Sequence, residues 1–140
     1  QSCAAEAQGI TVKEQSYGYE VILPHLMPKR NNRNHTVFLL EPLTYALKEF
    51  TAVHPICRLE YALIWFIYEY TEDTPIHCIR DYDNIETKEV LDIINSFFLL
   101  DDGGAFCELH YSTRRGNRTC TRVIISSDIG LVSCQKINGN

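Results

Sequence analysis

The chain has 140 residues, a formal net charge of −5, 45% hydrophobic and 22% charged residues. That balance excludes an intrinsically disordered chain, and the length is that of one domain able to bury roughly two-thirds of the surface its unfolded form exposes. No apolar run approaches the ~20 residues of a bilayer-crossing helix, since Ala62–Ile67 is interrupted at once by Tyr68 and Glu69.

In chain order, the start at Gln1-Ser2-Cys3 reads as the product of leader removal. Tyr17, Tyr19, Val21 and Leu23 alternate before Pro24, which predicts a strand with these four on one face. A basic loop follows, carrying Lys29, Arg30 and Arg33. Pro42 then sits where a first helical residue belongs, and Leu43, Ala46, Leu47 and Phe50 repeat at helical spacing, so a helix of about three turns should run to His54-Pro55. Cys57–Tyr70 fits either period. Its aromatic density and a centre apolar on both faces favour a central strand.

Val90, Leu91, Ile94, Phe97 and Phe98 mark a second amphipathic helix, stopped by Asp101-Asp-Gly-Gly104. The last third predicts a hairpin turning at Gly116, with Cys107, Leu109 and Tyr111 opposite Ile125, Val123 and Thr121. Cys120, Arg122, His110 and Ser112 then take the other face. The expected fold is α+β: one domain over 1–140, an antiparallel sheet with two amphipathic helices, in the order β-α-β-α-β-β.

Six cysteines, Cys3, Cys57, Cys78, Cys107, Cys120 and Cys134, are even in number and scattered, without zinc-site spacing. Three disulfides are expected, Cys3 with Cys134 tying the termini, and so is an oxidising compartment. The sequons at Asn34 and Asn117 agree with a secreted, extracellular glycoprotein.

Charge is distributed unevenly. Between Glu69 and Asp102 ten acidic residues stand against Arg80 and Lys88, an excess of −8, whereas residues 112–122 hold four arginines. Arg114, Arg115 and Arg118 on the hairpin tip, with Lys29, Arg30 and Arg33, are the expected contact residues of a protein-binding surface. The leading expectation is a recognition module for an extracellular protein or cell-surface glycoprotein, such as a host-directed effector, an inhibitor of a secreted enzyme or a coat module. Nucleic acid is not the expected partner, because basic and aromatic residues do not interleave.

The other reading is a small hydrolase or ribonuclease-like enzyme. His110 and Arg122 would face each other across the hairpin beside Glu108, supplying a proton shuttle and an anion stabiliser. The chain has no Gly-x-Ser-x-Gly elbow and no His-Glu-x-x-His helix. Asp81–Asn84 and Asp101–Gly104 suit turns and do not complete a calcium loop, so no metal or cofactor is expected.

Overall fold

A computed structural model describes residues 9–24, 33–56, 58–79, 87–100 and 106–127. The order is β1 (Thr11–Gln15), β2 (Gly18–Leu23), α1 (Arg33–Val53), β3 (Tyr61–Thr71), a 3-10 turn (Ile76–Cys78), α2 (Lys88–Phe98), β4 (Phe106–Gly116) and β5 (Cys120–Ser126). The α+β class stands. The all-antiparallel sheet does not: the five strands lie in the order β1-β2-β5-β3-β4, and β3 runs parallel to β4. A helical connection between two strands of one sheet is the ordinary route to a parallel pair, and α2 is that connection.

The expected β4–β5 hairpin is split, with β3 lying between its arms. Leu109 pairs with Ile64, and Ile64 with Ile125. The physical reason is in β3 itself. Residues 62–70 are buried on both faces, a condition met only at the centre of the sheet. Stepping from Gly116 over one strand to Cys120 spans about 9.5 Å, within the ~13 Å reach of four extended peptide units. Face assignment is unaffected, because a strand inserted in register preserves which side each residue takes. Cys107, Leu109 and Tyr111 still share a side with Val123 and Ile125.

That side packs on the helices. Val21, Leu23, Ile64, Phe66, Val123 and Ile125 meet Leu43 and Leu47 of α1 and Val90, Ile94 and Phe98 of α2. Leu63, Trp65, Ile67 and Ile124 make a second cluster on the opposite side of the sheet. Tyr17 joins this second cluster, not the face of Tyr19 as alternation predicted, because it lies in the two-residue β1–β2 turn where the period breaks. The turn resumes at Gly18, whose φ of +147° is open to glycine, and a Cβ there would overlap the carbonyl oxygen of Ile125. β1 itself escaped the sequence reading.

α1 begins nine residues before Pro42, so Arg33 and Asn34 are helical instead of looped. Lys29 and Arg30 lie outside the described residues. Pro42 sits inside the helix and removes one i→i−4 bond, while Thr44 Oγ1 donates to the carbonyl of Leu40 at 2.8 Å in the adjoining turn. The helix ends where His54-Pro55 predicted: His54 N still bonds Phe50 O at 2.8 Å, and its ring stacks on Phe50 with centroids 4.4 Å apart. The stop expected at Asp101–Gly104 lies outside the described residues.

Candidate functional site

The side of the sheet away from α1 and α2 carries a polar row with one residue from each described strand. Arg122 of β5 donates from Nε to Glu69 Oε1 of β3 at 2.7 Å and from Nη1 to Glu20 Oε2 of β2 at 3.2 Å. Arg114 of β4 reaches the same Glu69 oxygen from Nε and Nη2 at 3.3 Å, and Gln15 of β1 donates to Glu20 Oε1 at 3.3 Å. Register accounts for the row: Glu69 and Arg114 are direct partners, and the other pairs are diagonal neighbours. The Glu69 side chain is 5% exposed and that of Arg122 21%. Burial pushes the Glu69 carboxyl up, but the guanidinium groups of Arg122 and Arg114 outweigh it and hold the group below its ordinary value. Burial likewise lowers Arg122, and Glu69 and Glu20 more than restore it.

This arrangement separates the residues of the catalytic reading. His110 pairs with Trp65 and Arg122 with Ile67, so β3 stands between β4 and β5, and His110 does not face Arg122. Glu108 and His110 do come together, with Oε1 and Nε2 3.8 Å apart, and the Tyr61 hydroxyl donates to Glu108 Oε1 at 3.0 Å. That bond raises the Tyr61 phenol above its ordinary value. Trp65 Nε1 donates to Ser112 Oγ at 2.7 Å. The enzyme reading needed a His, a carboxylate and an Arg around one reacting centre; the structure assembles the first two and ties the third into the buried row.

The cationic tip also divides. Arg114 is engaged by Glu69, and Arg115 turns back along the sheet end, where its Nη1 lies 3.1 Å from Thr71 O, 3.1 Å from Glu72 O and 2.6 Å from Thr74 O. The turn it caps is bonded internally, with Thr74 N to Thr71 O at 3.1 Å and Thr71 Oγ1 to Asp73 Oδ1 at 2.8 Å. This turn leads into the 3-10 turn, where Cys78 N bonds Pro75 O at 2.9 Å and Ile79 N bonds Ile76 O at 3.0 Å. Ile76 is 81% exposed on it. Across the same sheet end, Asn117 and Arg118 are exposed on the three-residue connection to β5. Gly116, the last residue of β4, lies under the Glu69 carboxylate, which a Cβ would overlap.

Beside the contact role that the sequence suggests for them, Arg114 and Arg115 bond inward and hold the tip. The signal that could have shown this is Glu69, a carboxylate in an otherwise apolar strand, which demands a cationic partner. Ile76 was missed because an isolated apolar residue between Pro75 and His77 has no periodicity.

Among the described residues no disulfide of the expected framework is seen. Cys78, Cys107 and Cys120 are free thiols, respectively exposed, half-buried and fully buried. Cys3, Cys57 and Cys134 lie outside the described residues. Cys107 faces the helices and Cys120 the opposite side, so neither meets the other. Burial pushes the Cys107 thiol up, against a hydrogen bond from Asn95 that acts the other way. Among the described residues no cluster of three or more His, Cys, Asp or Glu could hold a metal ion. No helix among them is long and apolar enough to cross a membrane.

Fold and surface together define an α+β domain, two helices on a five-strand mixed sheet among the described residues, whose polar row and clamped end loops are its distinguishing features. The chain belongs to a family of unknown function, DUF6100, which it matches over residues 1–129. No curated protein matches it. Among solved structures it is similar to the periplasmic domain of Helicobacter pylori MotB. One such structure has a TM-score of 0.44 and 14% identity, covering 98% of this chain and 93% of that one. Another has a TM-score of 0.42 and 13% identity, covering 94% of each. At that distance neither says what this chain binds.

Proposed function

We propose that the protein is a macromolecular recognition module whose contact surface is the sheet end formed by the 71–78 loop and the 117–119 connection. The observation that carries this reading is the Arg115 clamp: one guanidinium nitrogen within hydrogen-bonding distance of the carbonyls of Thr71, Glu72 and Thr74 presents Ile76, 81% exposed, on an ordered turn. Ordering the loop at folding leaves less entropy to lose at binding. An exposed aliphatic residue flanked by charge is the make-up of an interface anchor with a polar rim. Here the flank is Glu72 and Asp73 on one loop and Arg118 on the other, all exposed.

The partner of this surface is an extracellular protein or cell-surface glycoprotein. The exposed position of Asn117 within its Asn-Arg-Thr triplet supports work outside the cytoplasm, because a glycan needs an accessible acceptor. Cys78, Cys107 and Cys120 are free, so the sequon is the observation that supports that compartment.

The test is capture of a partner from extracellular extract by the wild type and by folded Ile76→Asp and Arg118→Glu variants, with Lys13→Glu on the far edge strand as control. Loss of the same captured protein in both variants, with the control unchanged, supports the surface. Equal capture by all four removes it.

A further inference from the structure

We propose that β4 pairs edge to edge with the β4 of a second copy of this chain, antiparallel, with Tyr111 opposite its own copy on a two-fold axis. This surface is the outer edge of β4, distinct from the 71–78 loop and the 117–119 connection although Arg115 belongs to the strand. β4 is eleven residues long and closes one side of the sheet, and among the described residues it pairs with β3 alone. Edge strands of that length are templates for pairing, and soluble proteins blunt them with charge. β4 does carry charges, but their order makes them selective for a copy of themselves.

Opposed residues in a symmetric antiparallel pair must share a face, so the two positions add to an even number. The register in which all eleven residues overlap, Phe106 against Gly116, has the sum 222. That register alone places Glu108 opposite Arg114, twice across the two-fold axis. It also sets Leu109 against Thr113 and His110 against Ser112. Sliding by one permitted step puts Glu108 against Ser112 or Gly116 and loses both charge pairs. Full overlap and charge matching therefore select the same register.

The side chains are placed for it. Glu108 is 47% exposed and Arg114 50%. A guanidinium has five N–H donors and a carboxylate about four acceptor positions, so Arg114 can hold Glu69 and a Glu108 from the second copy together, and Glu108 can keep its bond from Tyr61. On the helix side of the sheet Leu109 is 38% exposed and would be covered across the new pair. The product is a continuous ten-stranded sheet with one clamped loop end per copy.

The test is sedimentation equilibrium on the full chain. The wild type is expected to dimerise with a dissociation constant of about 1–100 µM. Glu108→Arg and Arg114→Glu should each weaken it by about tenfold or more, since each turns two opposite-charge pairs into like-charge pairs. Mixed in equal amounts they should restore it, because one then offers only arginines and the other only glutamates at the four positions. A wild type that stays monomeric at about 200 µM overturns the proposal. So does a dimer indifferent to Glu108→Arg, or folded variants that fail to recombine. Arg114→Glu also removes a partner of Glu69, so a measurement without substitutions stands beside it. Exchange of the β4 amides that point away from β3 should slow as wild-type concentration rises through the dissociation constant, and exchange independent of concentration overturns the pairing.

Discussion

Replacing Glu69 with Gln keeps the shape of the side chain and removes the charge that holds the polar row together. With Glu69 5% exposed and Arg122 21%, the pair sits between interior and surface. At an effective dielectric of about 20, charges 4 Å apart attract by about 4 kcal/mol. Breaking a buried pair by removing one partner costs about 3–5 kcal/mol, mostly the orphaned charge. Here Arg122 keeps Glu20, and Arg114, half exposed, can turn to water, so the expected loss is about 2–4 kcal/mol. That is a large share of a stability of about 5–15 kcal/mol.

The assay is urea unfolding followed by Trp65, the single tryptophan, which lies beside the row. At pH 7 the midpoint should fall by about 1–2 M without change of slope. The pH dependence adds a sign. The folded carboxyl of Glu69 lies below its ordinary value of 4.5, so its contribution is complete above that value and is lost as pH falls through the folded one. Wild type and variant should therefore differ at pH 7 and converge in acid. A midpoint shift of less than about 0.3 M at pH 7, or a deficit that persists undiminished in acid, would refute the reasoning.

Three more expectations concern packing. Gly116→Ala should destabilise by about 1–3 kcal/mol in denaturant, because the new methyl displaces a carboxylate pinned by two arginines. Most of that deficit should vanish when Glu69→Ala is already present, so an additive double variant would contradict the contact. Gly18→Ala meets backbone at a positive φ, where nothing flexible can yield, and should lower the melting temperature whatever stands at position 69. Thiol labelling of the native protein should modify Cys78 readily and leave Cys120 unmodified until denaturant is added; early labelling of Cys120 would contradict its burial.

Alternation and helical spacing carried most of the fold. Val21 and Leu23, Leu43, Leu47 and Phe50, and Val90, Ile94 and Phe98 all lie in the core where their periods put them. Periodicity reports faces, not neighbours. A strand inserted between the arms of a hairpin leaves every face intact while moving each residue one strand further from its expected partner, and that is how Arg122 came to be assigned to His110. The mixed sheet is likewise invisible residue by residue, since it follows from how α2 carries the chain from β3 to β4. The cysteines divide differently: alternation already put Cys107 and Cys120 on opposite faces, where they cannot bond each other, but an even, dispersed set says nothing of whether each finds another partner, and Cys78, Cys107 and Cys120 are free. The arginine-rich tip was legible as positive charge only; its inward bonds depend on Glu69 and on three carbonyls far away in sequence.

The measurement closest to the central claim, that Arg115 orders the loop on which Ile76 is displayed, is amide hydrogen exchange of residues 71–79 in the wild type and in Arg115→Ala. The amides of Thr74, Cys78 and Ile79 should be protected in the wild type and lose about tenfold or more of that protection in the variant, with the amides of β3 and β5 unchanged. Equal protection of those three amides in both proteins would show that the loop is ordered without the clamp.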